Sequence, residues 1–216
     1  MSAETSRRAR HSSASNDHGS PPNLIEVARR TMGSIDLDPA SSAVFNRAVR
    51  ARRFFSVENN GLAQAWSGNV WLNPPGGVDP ETRDSRQAIW WWSLARRWQG
   101  GHVAQACFVG FSVEVLQVAQ ADDDEVPPAF RLPSPLQFPF CVPRSRPKYW
   151  KPVEEGGKTT LVEQGSPSHA GVLVYLPPRA NLTEWQDRFV ANCAGVGEVA
   201  NLRTAETLGR PVMSKP

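Results

Sequence analysis

No stretch of this chain carries the roughly 20 consecutive apolar residues that span a bilayer. Its first twenty residues, MSAETSRRARHSSASNDHGS, also lack the apolar segment of a secretory signal. A cytoplasmic protein that enters no membrane is expected. Cysteine is scarce: Cys107, Cys141 and Cys193 lie far apart and form no CxxC pair. That spacing argues against a zinc ribbon or a disulfide framework and predicts reduced, buried thiols. No metal site is expected. Lysine is rare too, so nearly all of the 24 positive charges are arginine. Arginine forks pair well with phosphate, although gene base composition produces the same bias. The net charge of +3 is compatible with a nucleic-acid partner without demanding one.

What is present suits one globular domain. The 216 residues are 40% apolar and 21% charged, enough to bury a core. Residues 1–20 are too polar to fold alone and are expected to form a weakly basic, disordered arm. The spacing predicts a helix opened by Pro21-Pro22 and stopped by Gly33, with Leu24, Ile25, Val27 and Ala28 inside. A short strand over 34–38, a turn at 39–42 and a helix through 44–49 follow. Further strands are expected at 53–56, 69–72 and 103–110, a helix at 85–98 and another at 113–119. GVLVYL, residues 171–176, reads as a buried strand and 184–192 as a helix. The acidic run 122–125 and residues 153–168 read as exposed loops, and strands are expected around 136–142. Alternating strands and helices imply an α/β fold, a mostly parallel sheet flanked by helices. In such sheets ligands sit beyond the carboxyl ends of the strands. Asp38 and Asn73 each follow a predicted strand and should meet at that edge.

Two segments carry chemistry. Asn73-Pro74-Pro75 follows the apolar strand at 69–72. Two prolines fix two φ angles and remove two backbone donors, leaving the nearby oxygens free to face outward. The Asn73 side-chain oxygen and the Pro74 carbonyl can together accept both hydrogens of a planar amino group, exposing its lone pair for direct attack on an electrophilic methyl. A Pro-Pro loop with a capping Asn has the same letters. The second segment, IDLDPASSAVFN, residues 35–46, places an acid at a strand end before a tight turn, which suits the amino-acid part of a cofactor. An ordinary capped turn has this pattern as well. Asn59-Asn60-Gly61 is expected to be a turn. Arg144, Arg146, Lys148, Tyr149 and Trp150 interleave charge with aromatic rings, as a surface touching phosphates and bases does, and as a solvated hairpin also does.

Taken together, PPNLIEVARRTMGSIDLDPASSAVFNRAVRA, RFFSVENNGLAQAWSGNVWLNPP, FCVPRSRPKYW and SPSHAGVLVYLP resemble, in the same order, the DNA N-6-adenine methyltransferases of phages and prophages. The resemblance covers roughly residues 21–180. It implies a Rossmann-like methyltransferase fold, S-adenosylmethionine as cofactor, double-stranded DNA as partner and the amino group of adenine as acceptor. By motif, Asn73, Pro74 and Pro75 would be catalytic, while Asp38, Pro39, Ala40 and Ser41 would form the cofactor turn, Pro22 would open the cofactor-flanking segment, and Glu58, after the second strand, would hold the cofactor's ribose. The implied organisation is a methyltransferase domain over 21–202, with about 126–170 inserted to contact DNA through Arg144, Arg146 and Tyr149, and a tail over 203–216.

The chain departs from the family's pattern where an aromatic ring should follow the prolines. The residue there is Gly76, and in the family that ring stacks on the extruded base. The nearest rings by sequence are Trp71 and the run Trp90, Trp91 and Trp92, of which Trp90 or Trp91 is the expected substitute. A methyltransferase for another planar amide or amine, such as protein glutamine or RNA adenine, and a DNA-binding pseudoenzyme stand as alternatives.

Overall fold

A computed structural model describes residues 18–120, 131–163 and 169–200. The acidic run at 122–125, the tail over 203–216 and all but the last three residues of the expected arm lie outside them.

A seven-stranded sheet organises the fold, in the order β2-β1-β3-β4-β8-β5-β9. Its strands are β1 (Leu37–Asp38), β2 (Arg53–Phe54), β3 (Gly68–Leu72), β4 (Val103–Gly110), β5 (Phe140–Pro143), β8 (Val172–Leu176) and β9 (Gly197–Ala200). The first four run parallel; β8 is antiparallel to both β4 and β5, and β9 is antiparallel to β5. The sheet is therefore mixed but mostly parallel, and with helices on both faces the architecture is compatible with a Rossmann-like fold. β4 and β8 are almost wholly buried, as strands covered on both faces must be.

The described helices are α1 (Pro22–Met32), α2 (Asn46–Val49), α3 (Arg86–Gln99), α4 (Val115–Val118) and α5 (Leu182–Cys193), and short 3-10 turns lie between elements. Strand alternation divides the core. Val70, Leu72 and Phe108 face α3, whose Trp91, Leu94 and Ala95 cover them. Trp71, Cys107, Val109 and Tyr175 face the opposite way, against Leu24 and Ala28 of α1 and Phe189 of α5. Among the three adjacent tryptophans, Trp91 is fully buried between Phe108 and Phe138, while the Trp92 indole donates to the Ala119 carbonyl. All three cysteines are buried and free. Among the described residues no helix is long and apolar enough to cross a membrane.

Several expectations need correction. Residues 153–163 are not a loop: β6 (Trp150–Glu155) and β7 (Lys158–Glu163) form a separate hairpin, joined by Gly156-Gly157. Both glycines have positive φ, 58° and 75°, which is what a two-residue hairpin turn requires. The helices expected at 44–49 and 113–119 shrink to single turns, α2 and α4. The polar arm ends earlier than residue 20. Gly19 exchanges backbone hydrogen bonds with Trp150 at 2.7 and 3.1 Å, and the Trp71 indole donates to Ser20 Oγ at 3.0 Å in the buried interior. Residues 18–20 thus form a strap across the carboxyl end of β3. Apolar periodicity could not reveal it, because it acts through backbone groups and a hydroxyl.

Ser20→Ala leaves the buried Trp71 N–H without an acceptor. Chemical denaturation should show a loss of about 1–3 kcal/mol, the cost of one orphaned buried donor; an unchanged midpoint would mean that the strap contributes nothing to the fold.

Candidate functional site

β1 and β3 are neighbours, with Leu37 opposite Val70. The chain leaves β1 to build β2 on one side, and β3 takes the other. The strand order reverses at this point, and a crevice opens beyond the carboxyl ends of the two strands. A cavity of about 220 Å³ fills it. One wall is the turn Asp38-Pro39-Ala40-Ser41-Ser42, with the Phe45 ring behind it. The second is Ser56-Val57-Glu58 with Asn60 and Gly61, and the third is Asn73-Pro74-Pro75. The strap His18-Gly19-Ser20 closes the fourth side, and Trp90 reaches in from α3. The structure therefore brings together Asp38, Pro39, Ala40, Ser41, Glu58, Asn73, Pro74 and Pro75, which sequence reasoning had selected from three separate segments.

Asn73 is 7% exposed, and its amide is oriented by the strap. Its Nδ2 donates to the His18 carbonyl at 2.8 Å. Only the NH₂ end of an amide can donate to a carbonyl, so Oδ1 is necessarily the end left over. That oxygen is buried and has no hydrogen-bond partner. A buried orphan acceptor is rare in native proteins because it forfeits its hydration, and it points to a missing partner. The His18 ring also borders the cavity. Its Nδ1 is buried without a partner, and its pKa is lowered, first by burial and then by the charge of Lys151.

Asp38 is 2% exposed at the base of its turn, and its Oδ1 accepts from the Ala40 N–H at 3.3 Å. Burial pushes its carboxyl up to about 7. Such an acid is completed by a cation or by a proton. The helix expected after this turn begins only at Asn46 and is one turn long. Glu58 is exposed on a 3-10 turn, Val57–Asn59, capped reciprocally by Ser56 and Asn59. Its carboxyl is held below the usual range, chiefly by the Ser56 hydroxyl.

Gly61 and Trp90 line this cavity, a place that their sequence readings, a turn and a substitute for the ring missing at position 76, did not give them. Asn60 sits at φ 49°, and Gly61 then passes so close to the Asp38 turn that a Cβ on it would lie 1.9 Å from the Pro39 carbonyl oxygen. The Asn-Asn-Gly signature predicted a turn but not this close approach. Trp90 stacks on Trp66 at 5.9 Å, Trp66 carries the Arg97 guanidinium 4.5 Å above its ring, and the Trp66 indole donates to the Gly61 carbonyl at 2.7 Å.

Other selected residues lie elsewhere. Pro22 is exposed at the start of α1 and does not line the cavity; the preceding strap takes that place. Arg144 is exposed and paired with Glu198 at 3.0 Å, and Arg146 is likewise exposed, away from the cavity. Tyr149 is 3% exposed, its ring packed on Phe111 and His18, so it presents no surface to a partner. Gly76 lies just past the cavity wall, beside Phe111. The hairpin sequences WKPVEE and KTTLVE carry three glutamates against two lysines, so these two strands have no excess of positive charge. No group of His, Cys, Asp and Glu that could hold a metal occurs among the described residues.

No family model, curated protein or solved structure matches the chain. The reading of the site rests on its own geometry and on the motifs of the sequence.

Two outcomes follow. Gly61→Ala must push Pro39 away, because backbone cannot yield to a 1.9 Å approach; thermal melting should show marked destabilisation, and the cavity wall should shift. Asp38 should make stability depend on pH. Its carboxyl is raised on folding from 3.8 to about 7, so its contribution is fully present below about pH 4 and is lost as pH rises through about 7. Between those limits the folded chain keeps a proton that the unfolded chain has released. Asp38→Asn should flatten the melting-temperature curve across this window, and parallel curves for the two proteins would contradict the assignment.

Proposed function

We propose that this chain transfers a methyl group from S-adenosylmethionine to the amino group of adenine in DNA. The observation that carries the reading is the buried, unpartnered Oδ1 of Asn73 at the edge of a cavity that also contains Asp38. An acceptor held in place and left open is what a planar amino group requires.

The residues present fit the cofactor. Asp38 offers a buried negative charge for an ammonium group, and Glu58 an exposed carboxylate for ribose hydroxyls. Pro39, Ala40, Phe45 and Trp90 supply apolar surface. The cavity is a little smaller than the roughly 300 Å³ at which ligand sites usually begin, and its rim at Val57, 80% exposed, is open. A nucleoside joined to an amino acid would therefore be held at its amino-acid and ribose end and reach solvent at the other. When bound, the cofactor supplies an electrophilic methyl.

The chain's own part is to position and polarise. Oδ1 of Asn73 and the Pro74 carbonyl accept the two hydrogens of the target amino group. This holds the nitrogen in one place and draws it toward sp³, which frees its lone pair from conjugation with the ring. Pro74 and Pro75 contribute no N–H that could compete for those oxygens. The acceptors are fixed before the substrate arrives, so they need no reorganisation as charge develops on the nitrogen. Target bases inside a duplex must first be turned out of the stack.

One observation favours a second acceptor class. Of the side chains assigned to DNA contact, Arg144 is already paired with Glu198 and Tyr149 is buried. A glutamine amide in a protein is planar, carries two hydrogens and requires no phosphate-binding surface. Methylation assays on DNA and on a protein substrate, run side by side, separate the two.

Asn73→Ala removes one of two acceptors that act mainly in the transition state. The transfer rate should fall on the order of 10²–10³-fold, with cofactor affinity, measured by calorimetry, changed less than about twofold. A mutant that retained more than half of wild-type turnover would remove Asn73 from the chemistry. Cofactor affinity should rise as the pH passes upward through about 7, as Asp38 loses its proton, and Asp38→Asn should abolish that rise. A pH-independent affinity in the native protein would show that the ammonium is held elsewhere.

A further inference from the structure

We propose that the ring of Phe111 is the stacking platform for the acceptor base, seated in the notch left by the missing side chain of Gly76. The proposal rests on the reading of Asn73 as the acceptor for a planar amino group. Phe111 follows directly on β4. The register of β3 with β4, Leu72 opposite Phe108, carries the two strand ends out side by side. Phe111 packs on the same core cluster as Trp71 and Val109, and Asn73, two residues beyond Trp71, alternates onto that face as well.

Gly76 explains the arrangement. Its backbone lies outside the left-handed region, unlike the next residue, Gly77, at φ 88°. Its conformation therefore does not demand glycine. A Cβ there would lie 3.4 Å from Cδ2 and 3.5 Å from Cε2 of Phe111. Any larger side chain at 76 would be laid against that ring and would cover it. Phe111 is half-buried, so part of the ring stays accessible. It is braced edge-on by Tyr149 at 4.9 Å and 69° and by His18 at 6.2 Å and 80°. The strap that orients Asn73 thus also braces this ring. The tryptophans singled out from sequence are committed: Trp71 and Trp91 are sealed in the core, and Trp90 stacks on Trp66 at the cavity wall. An extruded base needs a flat apolar face to replace the stacking it has lost, whereas a glutamine amide does not.

The test uses a single-stranded oligodeoxythymidylate carrying one central 2-aminopurine, whose fluorescence is quenched on stacking and whose thymine neighbours stack weakly, with the full-length protein. The wild type should bind with quenching. Phe111→Leu, which keeps an apolar filler but loses the flat face, should weaken binding about five- to 150-fold, the range for one stacked base, and lose the quenching. Phe111→Tyr should retain both, and cofactor affinity should stay within about twofold in each variant. Gly76→Tyr should weaken binding because two rings compete for one space, and Gly76→Tyr combined with Phe111→Ala should recover most of it. Absent quenching in the wild type, unchanged binding by Phe111→Leu, or a double variant no better than Gly76→Tyr would each overturn the proposal. The two readings fail separately. Quenching that depends on Phe111 without any methyl transfer would leave the platform standing and remove the enzymatic reading. Transfer to DNA with an unchanged KM in Phe111→Leu would do the reverse.

Discussion

One hydrogen bond, 2.8 Å from the Asn73 amide nitrogen to the His18 carbonyl, decides what this site can do. An amide is free to turn about its last bond, and the two orientations present opposite chemistry to a ligand. With the NH₂ end tied to a backbone carbonyl, only the oxygen is left to face a donor. The rest of the local structure serves that bond. Gly19 is clasped to Trp150 at the base of the hairpin, and Ser20 is tied to the Trp71 indole one turn of the pleat below Asn73. A single residue of the strap therefore contributes through its backbone to the acceptor and through its ring to the aromatic cluster around Phe111.

The opposite wall shows the same economy of parts. Asp38 is kept from water by its own turn, and that turn is fixed by the approach of Gly61 to the Pro39 carbonyl. Gly61 is held in turn by the Trp66 indole, and Trp66 is sandwiched between Trp90 and the Arg97 guanidinium. The charge in the cavity and the stacked rings outside it are thus parts of one support. The buried acid costs the apo fold some stability at neutral pH, a cost that a bound cation would offset.

Much of this was legible in the residues, and the reasons are physical. The strands at 69–72, 103–110 and 172–176 are continuous apolar runs because both faces of the sheet are covered, and Asn73-Pro74-Pro75 and Asp38 follow their strands directly. Once the strand order reverses between β1 and β3, their meeting is a matter of topology. The hairpin at 150–163 was hidden because it is solvated on both faces and carries no apolar alternation; its one signal was Gly156-Gly157. Phe111 was hidden because its place depends on the register of β3 against β4, which no local pattern encodes. Tyr149 and Arg144 mark a limit of spacing: it shows that rings and charges alternate, but not that the ring turns inward or that the charge already has Glu198 as a partner.

The central claim is that the open oxygen of Asn73 receives an adenine amino group and directs a methyl to it. The most direct measurement is transfer of labelled methyl from S-adenosylmethionine to unmethylated DNA, followed by digestion to nucleosides and identification of the labelled one. The account predicts label in N6-methyladenine alone. Label in C5-methylcytosine, label only in protein, or no incorporation by folded protein that binds the cofactor would contradict it.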